Sequence, residues 1–389
     1  MSFKILTPLK SFVLAGSLLI GPSSFAKNPV SVKSVGTERI KPVSVKSVGK
    51  ERKQSSALDI ALLKSSFASW GVDPSNTKSS INLPKAWMNF KQKKEIVVAV
   101  IDTGIDPYHP FLKDNLYVPK GTVSPLTNYG VDFSKNRKSA TRPFDDHGHG
   151  THVSGIIKSV FPKVKILALK YYDRKADGKA NLKSTIDALR YAVEQNVDII
   201  NYSGGGPQPD SQELEILKKA EARGILVVAA AGNEKSNIDQ KDNAYYPASY
   251  PLNNIITVTA HDQNLRVLSS SNYGKSNVDI AAPGYKIGSS SPRGRVGQLT
   301  GTSQATAFVT GVAAMIKAQF PELSTQKIIS AINQSAKKEI TLAVKCASGG
   351  RLDATKAQQV AAQFTMMNQK RKLASKSNND QGKIIYRIK

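Results

Sequence analysis

The chain contains a carboxylate, an imidazole, an amide and a hydroxyl that together could catalyse attack on a carbonyl carbon. These groups belong to Asp102, His149, Asn233 and Ser303. A serine hydroxyl becomes a nucleophile when a histidine removes its proton, and a carboxylate can hold that imidazole in the required tautomer. Negative charge then develops on the attacked oxygen, and the Asn233 amide and the backbone N–H of Ser303 are suitable donors for it. These residue types, in the chain order Asp, His, Ser, predict nucleophilic acyl transfer.

A scaffold must bring these residues together, and the central part of the chain has the pattern of a doubly wound α/β domain. Short apolar runs, rich in β-branched residues, alternate with helical stretches. Strands that are apolar along their whole length are buried on both faces, which is typical of a mostly parallel sheet with helices on both sides. Ligands of such sheets bind beyond the carboxyl ends of the strands, where Asp102 and Asn233 lie. The predicted strands are 96–101, 165–169, 198–202, 225–229 and 255–259.

Three helices follow from the spacing of apolar residues. Residues 182–195 place their apolar side chains on one stripe, and residues 214–223 do the same before Gly224, a residue suited to end a helix. Residues 302–320 are apolar nearly all round, which predicts a buried helix that ends before Pro321. Ser303 therefore lies just inside the N-terminus of a buried helix.

Five sequence blocks resemble the subtilisin-like serine proteases, or subtilases. Each block alone is a modest signal, whereas all five in the family's order and spacing are a specific one. The resemblance covers about residues 80–362 and implies the subtilisin-like form of the doubly wound sheet. The blocks are VAVIDTGID at 98–106, HGTHVSG at 149–155, NYSGG at 201–205, AAAGNE at 229–234 and GTSQA at 301–305.

The resemblance assigns a role to each candidate residue. It implies that Asp102, His149 and Ser303 form a catalytic triad that hydrolyses peptide bonds through an acyl-enzyme intermediate, with Asn233 donating to the oxyanion. It also implies a cis peptide before Pro247. An extended substrate would pair with a backbone edge beside a specificity pocket. The edge comprises Ser203, Gly204 and Gly205, and the pocket is lined by Ala231 and Gly232, with Glu234 near its mouth.

The sequence departs from the family where many subtilases bind calcium. The helix that begins at His149 is followed almost at once by Pro162, so the family's calcium-binding loop has no counterpart. Phe111 stands where an aspartate ligand is common, and a hard cation needs several oxygen ligands. We therefore predict that this calcium site is absent and that the chemistry requires no cofactor. In the nucleophile block, Gln304 replaces the usual methionine but removes no triad atom.

The start of the chain has the pattern of a secretory signal peptide. Residues 1–26 contain a basic front, a short apolar core and the small-x-small sequence Ser-Phe-Ala that ends at Ala26. The apolar core is short for a membrane-spanning helix, which needs about 20 residues. Cleavage near Ala26 predicts a secreted or periplasmic protein.

Three further segments follow the predicted signal peptide. Residues 27–65 repeat the sequence PVSVKSVG and form a basic spacer or a short propeptide, too poor in core residues to resemble the family's prodomain. Residues 66–362 form the predicted peptidase domain. Residues 363–389 form a basic C-terminal tail.

The charge of the chain is strongly positive. Lys and Arg number 55 against 29 Asp and Glu, for a formal net charge of +26. Such a surface favours contact with anionic surfaces. Because no nucleic-acid-binding module accompanies this charge, we expect no specific nucleic-acid partner. The expected substrates are polypeptides, and we expect the protein to be a monomer. The single cysteine, Cys346, excludes an intramolecular disulfide.

Two other functions remain as alternatives, whereas an aspartic protease is excluded. His147, His149 and His152 could form a metal cluster, although no acidic or thiol partner has zincin spacing. Asp-Thr-Gly at 102–104 also occurs in aspartic proteases, but those need two such carboxylates and the chain has one such sequence. The remaining alternative is a catalytically weak subtilase-fold protein that binds anionic surfaces.

Overall fold

Strands and helices alternate through the residues that the computed structural model describes, which are 69–118, 124, 126–134 and 141–384. The predicted segments 1–26 and 27–65 lie outside these residues. The strands are β1 (Val97–Asp102), β2 (Gly130–Asp132), β3 (Lys165–Lys170), β4 (Ile199–Tyr202), β5 (Leu226–Ala230), β6 (Ile255–His261), β7 (Ile280–Pro283), β8 (Ile287–Ser291), β9 (Arg295–Leu299), β10 (Lys337–Lys338) and β11 (Gly350–Arg351). The helices are α1 (Pro84–Met88), α2 (His149–Val160), α3 (Gly178–Glu194), α4 (Ser211–Ala222), α5 (Thr302–Gln319), α6 (Thr325–Gln334) and α7 (Ala354–Ile384).

The central sheet of the described residues has the strand order β10-β11-β7-β6-β5-β4-β1-β3-β2. Neighbouring strands are parallel throughout, except that β10 runs antiparallel to β11. Strands β8 and β9 form a separate antiparallel pair. The sheet confirms the predicted fold class, and all five predicted strands are present with ends displaced by at most two residues.

Alternation along β1 shows why the sheet needs helices on both faces. Val98 and Val100 belong to the core shared with α2 and α5, whereas Ala99 and Ile101 belong to the core shared with α3 and α4. All four side chains are at most 2% exposed. A strand buried on both faces cannot alternate polar with apolar residues, which explains its continuous apolar run.

Helix α5 lies in the interior, as its sequence predicts. Nearly every residue from Thr302 to Ala318 is buried, and Pro321 follows the helix end. The helix packs against α2 and against β4, β5, β6 and β7. A helix enclosed in this way presents its first turn, including Ser303, at a fixed position relative to the sheet.

Side-chain caps explain why two of the predicted helices begin earlier than expected. The Asp177 carboxylate accepts the Ala180 N–H and starts α3, and the Asp210 carboxylate accepts the N–H groups of Gln212 and Glu213 and starts α4. Gly224 follows α4 with a φ of +67°, as a residue that ends a helix does.

The C-terminal helix is longer than the sequence pattern suggests. Helix α7 runs from Ala354 to Ile384 without a break at residue 362, where we expect the basic tail to begin. Its first turns pack into the core through Ala354, Ala357 and Ala361. Among the described residues, no helix combines the length and the apolar character needed to cross a membrane.

Candidate active site

The Asp102 carboxylate and the His149 imidazole are joined by a hydrogen bond in the interior of the protein. Asp102 ends β1 and His149 begins α2. His149 Nδ1 lies 2.7 Å from Asp102 Oδ1, and both residues are 1% exposed. Because an ionised carboxylate only accepts, it keeps the proton on Nδ1. Nε2 is then an acceptor, and it is buried with no hydrogen-bond partner among the described residues.

Electrostatics around His149 favour its protonated form. Burial lowers the pKa of His149, but the charge of Asp102 and the hydrogen bond to it outweigh burial, and Asp145 adds to their effect. The net result raises the pKa of His149 above its ordinary value of 6.5. A raised pKa means that the imidazole binds a proton more tightly than a free histidine does, a property that suits a general base.

A second buried carboxylate, that of Asp145, holds the N-terminus of α2 in place. Its Oδ1 accepts the Thr103 hydroxyl at 2.8 Å and two backbone N–H groups of the turn before the helix. Its Oδ2 accepts both the N–H and the hydroxyl of Thr151. These bonds tie the loop after β1 to the first turn of α2 and so hold His149 against Asp102. Sequence analysis missed Asp145, although an aspartate shortly before a helix start is a known capping signal.

The Asn233 amide and the Ser303 hydroxyl lie at the start of α5. Asn233 Oδ1 accepts the Thr302 N–H at 3.0 Å and the Thr302 hydroxyl at 3.3 Å. Asn233 Nδ2 is buried and has no hydrogen-bond partner among the described residues. Ser303 is fully buried, and its Oγ donates to the Ser203 carbonyl at 3.2 Å. The amide nitrogen is therefore a donor available beside a hydroxyl, at the helix end that stabilises negative charge.

The residues predicted to pair with substrate continue from β4. Ser203, Gly204 and Gly205 are buried and follow Tyr202, the last residue of that strand. The Asn201 amide donates to the Ser203 hydroxyl at 2.9 Å. Gly205 lies so close to its neighbours that an added Cβ would be 2.4 Å from the Tyr245 ring. A side chain at this position would push the edge away from its place beside Ser303.

The residues predicted to line the specificity pocket lie in the loop that follows β5. Ala231 is fully buried, and Gly232 has a φ of +99°. An added Cβ at Gly232 would lie 2.5 Å from Asn272 Nδ2. Asn272 holds this loop, since its amide nitrogen donates to the Ala231 carbonyl and to the Glu234 carboxylate while its oxygen accepts the Glu234 N–H. Sequence analysis missed Asn272, and its position in a serine-rich loop offers no signal.

Gln304, which replaces the family's usual methionine, is fully buried next to Ser303. Both polar atoms of its side chain have no hydrogen-bond partner among the described residues. Its Oε1 would lie 3.3 Å from a Cβ added to Gly301, on the same side as the Asn233 amide. The Gln304 amide, one residue after Ser303, therefore makes the surroundings of the Ser303 hydroxyl more polar than a methionine would.

The structure assigns the three clustered histidines to different environments. His152 Nε2 contacts the Ile287 carbonyl at 2.9 Å, and burial lowers the pKa of His152 to about 3. His147 is exposed and packs edge-on against the Tyr172 ring. In the described part of the chain, no three His, Cys, Asp or Glu side chains are grouped so that they could hold a metal ion. His152 is a buried structural histidine, as the sequence favours.

The predicted site residues thus form two groups at one edge of the sheet. Asp102 bonds to His149, and Ser303 bonds to Ser203 beside the Asn233 amide. The two groups are connected because α2 and α5, which carry His149 and Ser303 in their first turns, pack against each other. This arrangement contains an imidazole bonded to a carboxylate, and a hydroxyl beside an amide nitrogen.

Comparison with known proteins also indicates a serine protease. A family model described as the subtilase family matches residues 93–377. The chain is 36% identical over 259 residues to the major intracellular serine protease of Bacillus subtilis (strain 168), which covers 64% of this chain and 76% of the relative. It is also 36% identical over 249 residues to an intracellular serine protease of Paenibacillus polymyxa, covering 61% and 71%. A subtilisin of Bacillus pumilus is 32% identical over 268 residues, covering 66% of this chain and 90% of its own. The chain therefore belongs to the subtilase family and is a subtilisin-like serine endopeptidase.

Proposed function

We propose that this endopeptidase uses Asp102, His149 and Ser303 as its triad and Asn233 as its oxyanion donor. The observation that carries the proposal is the buried 2.7 Å contact between the Asp102 carboxylate and His149 Nδ1. That contact leaves Nε2 as the basic nitrogen on the side of the ring away from Asp102. Mutation of the triad residues, argued in the Discussion, tests the proposal.

The reaction begins when His149 Nε2 accepts the Ser303 proton as Oγ attacks the substrate carbonyl carbon. The tetrahedral oxyanion receives hydrogen bonds from Asn233 Nδ2 and the Ser303 N–H. Protonated His149 then gives its proton to the leaving amine, and an acyl-enzyme remains on Ser303. Water, deprotonated by the same imidazole, hydrolyses the ester and restores the hydroxyl.

Substrate binding would use the edge that continues from β4. Main-chain groups of Ser203, Gly204 and Gly205 would pair with an extended peptide, which gives affinity without reading side chains. Ala231 and Gly232 leave room for a large apolar side chain next to the scissile bond, and Glu234 at the mouth of the pocket favours a basic one. The Ser203 carbonyl accepts from the Ser303 hydroxyl at 3.2 Å, so this edge adjoins the nucleophile.

The pH dependence of peptide hydrolysis tests the role of His149 as the base. Neutral imidazole is the active form, so kcat/KM falls as the pH drops through the pKa of His149 in the free enzyme. Because the surroundings raise that pKa, we expect the acid limb to have its midpoint above 6.5. The measurement is kcat/KM for a fluorogenic peptide between pH 5 and 9. A rate that stays constant from pH 7 down to pH 5 would contradict the assignment.

We also propose that a lysine occupies the place of the family's missing calcium site. The Lys158 ammonium donates to the Phe111 carbonyl and lies 4.6 Å from the centre of the Phe111 ring. A positive charge already directed at this carbonyl opposes binding of a divalent cation there.

Chelation provides the test of the calcium proposal. We expect the Tm to change by less than about 2 °C when excess EDTA is added to the purified enzyme. A chelator lowers the Tm only when it removes a metal that stabilises the folded state. Thermal unfolding followed by circular dichroism measures it, with added calcium as the reverse control. A Tm that falls by about 10 °C on chelation would show that calcium stabilises this fold.

We also propose that the protein is exported through a cleaved signal peptide. Two relatives are named as intracellular proteases, so export needs its own test. The support for export is the basic, apolar and small-x-small pattern of residues 1–26. Expression of the full chain with Ser303→Ala, followed by cell fractionation and N-terminal sequencing, tests it. We expect a new N-terminus near Ala26 outside the cytoplasm. An uncleaved chain retained in the cytoplasm would refute export.

A further inference from the structure

A cleft lined by basic residues includes Lys235, which follows Asn233 by two residues in the chain. Its volume is about 400 Å³, within the range of small-molecule sites. Three of its lining residues are cationic: Lys235, Arg266 and Lys345. The other residues that line it are apolar or carry hydroxyl groups: Val267, Leu268, Ser269, Ser271, Tyr273 and Thr341. Among the described residues, the lining contains no carboxylate.

The three cations of this cleft have no acidic partner in the described part of the chain, where none of them takes part in an ion pair. The carboxylates nearest in sequence do not contact the charged groups of these cations, and the one nearest Lys345, that of Glu339, pairs with Arg351. Asp262 Oδ1 accepts the backbone N–H of Arg266, and the Glu234 carboxylate accepts the Asn272 amide. Three like charges around one cleft repel each other, so an anion bound between them removes an unfavourable interaction.

Two of the lining side chains are already ordered towards each other. The Lys345 ammonium lies 3.6 Å from the centre of the Tyr273 ring, a cation–π contact that limits its freedom. Lys275, a neighbouring lysine outside the cleft, instead donates to the carbonyls of Ala343 and Ala347. Unlike Lys275, Lys235 and Arg266 direct no charged group at a carbonyl in the described residues, whereas Lys345 contacts the Tyr273 ring.

From this combination of volume, charge and hydroxyl groups we infer that the cleft is a binding site for a small, multiply charged oxyanion. Arg266 can hold two oxygens of a phosphate or carboxylate group through its planar guanidinium, and the two lysines act as point charges. The site is distinct from the proposed catalytic residues. It adjoins them, since the Lys235 N–H donates to the Ser270 carbonyl and so joins the cleft wall to the loop of Asn233.

Calorimetric titration of the full chain tests this inference. The Ser303→Ala protein prevents self-digestion, and pyrophosphate and citrate serve as probes at a constant ionic strength of about 0.15 M. A phosphate ligand and a carboxylate ligand are distinguished by which probe binds more tightly. We expect saturable binding of at least one probe with a Kd of about 1 mM or lower.

Two double variants separate a built site from general attraction to a basic protein. Arg266→Gln with Lys345→Gln removes two cations of the cleft, whereas Lys179→Gln with Lys183→Gln removes two exposed cations of α3. We expect the cleft variant to weaken binding about tenfold or more and the α3 variant to leave it within about twofold. Absence of saturable binding, or equal weakening in both variants, would overturn the inference. Circular dichroism confirms that both variants remain folded.

Discussion

Replacement of Ser303 by alanine lowers kcat for peptide hydrolysis by about 10⁶-fold, the order of magnitude that the nucleophile of a subtilisin contributes. The substitution removes the only atom that forms the acyl-enzyme in the proposed reaction. KM changes little, because the binding edge at Ser203–Gly205 and the pocket at Gly232 remain. A fluorogenic peptide with unprimed and primed residues measures both constants.

The control for this experiment is Ser211→Ala, which removes an exposed hydroxyl at the start of α4. We expect its kcat to equal that of the wild type. The comparison also separates the enzyme from a protein that keeps the fold only to bind anionic surfaces. If the wild type and Ser303→Ala are both folded and equally inactive on a mixed peptide library, the binding protein is the correct interpretation.

Replacement of Asp102 by asparagine lowers kcat by about 10⁴-fold, which corresponds to about 5 kcal/mol of transition-state stabilisation. The carboxylate keeps the proton on His149 Nδ1 and stabilises the imidazolium that forms during the reaction. An asparagine amide of the same shape can donate to Nδ1, which moves the proton to Nε2 and removes the base. Loss of the charge also lowers the pKa of His149, because Asp102 contributes most to raising it.

Steady-state kinetics with Asp187→Asn, which removes a partly exposed carboxylate of α3 paired with Arg190, provides the matched control, for which we expect no loss of kcat. Histidine NMR adds a readout that a merely structural role of Asp102 would not produce. We expect the titration midpoint of His149 to move to lower pH in Asp102→Asn. Loss of less than tenfold in kcat, with an unshifted midpoint, would remove Asp102 from the triad.

The sequence predicts the scaffold well where burial dictates residue type. Strand β1 is buried on both faces, and its run of valine, alanine and isoleucine shows this directly. Helix α5 is enclosed on all sides, so its apolar residues have no period and indicate burial. In both cases one physical requirement, removal of apolar surface from water, fixes the local sequence.

Residues that act through polar contacts are harder to recognise. Asp145 bonds to Thr103 and Thr151, which are 42 and 6 residues away along the chain. Asn272 holds the loop of Glu234 from 38 residues away. Aspartate and asparagine are common in loops for many reasons, so their types predict a turn without naming the partner. Only the fold shows that these two residues support the site.

The lengths of helices α4 and α7 show a related limit. Helix α4 begins at Ser211 because the Asp210 side chain caps it, before its first predicted residue. Helix α7 continues past residue 362 with a sequence rich in lysine and glutamine, which favour helices but carry no apolar stripe. Periodicity locates the buried part of a helix, whereas caps and intrinsic propensity determine where it ends.

Covalent labelling tests the central claim of the account most directly. A fluorophosphonate reacts with a serine only when that serine is activated by a base and the phosphoryl oxygen is stabilised by oxyanion donors. Peptide mass mapping of the labelled wild type and of His149→Gln shows where and how fast the adduct forms. We predict one adduct per chain, on Ser303, with formation strongly slowed in His149→Gln. An active protein labelled at another serine, or labelled on Ser303 equally fast without His149, would contradict the proposed triad.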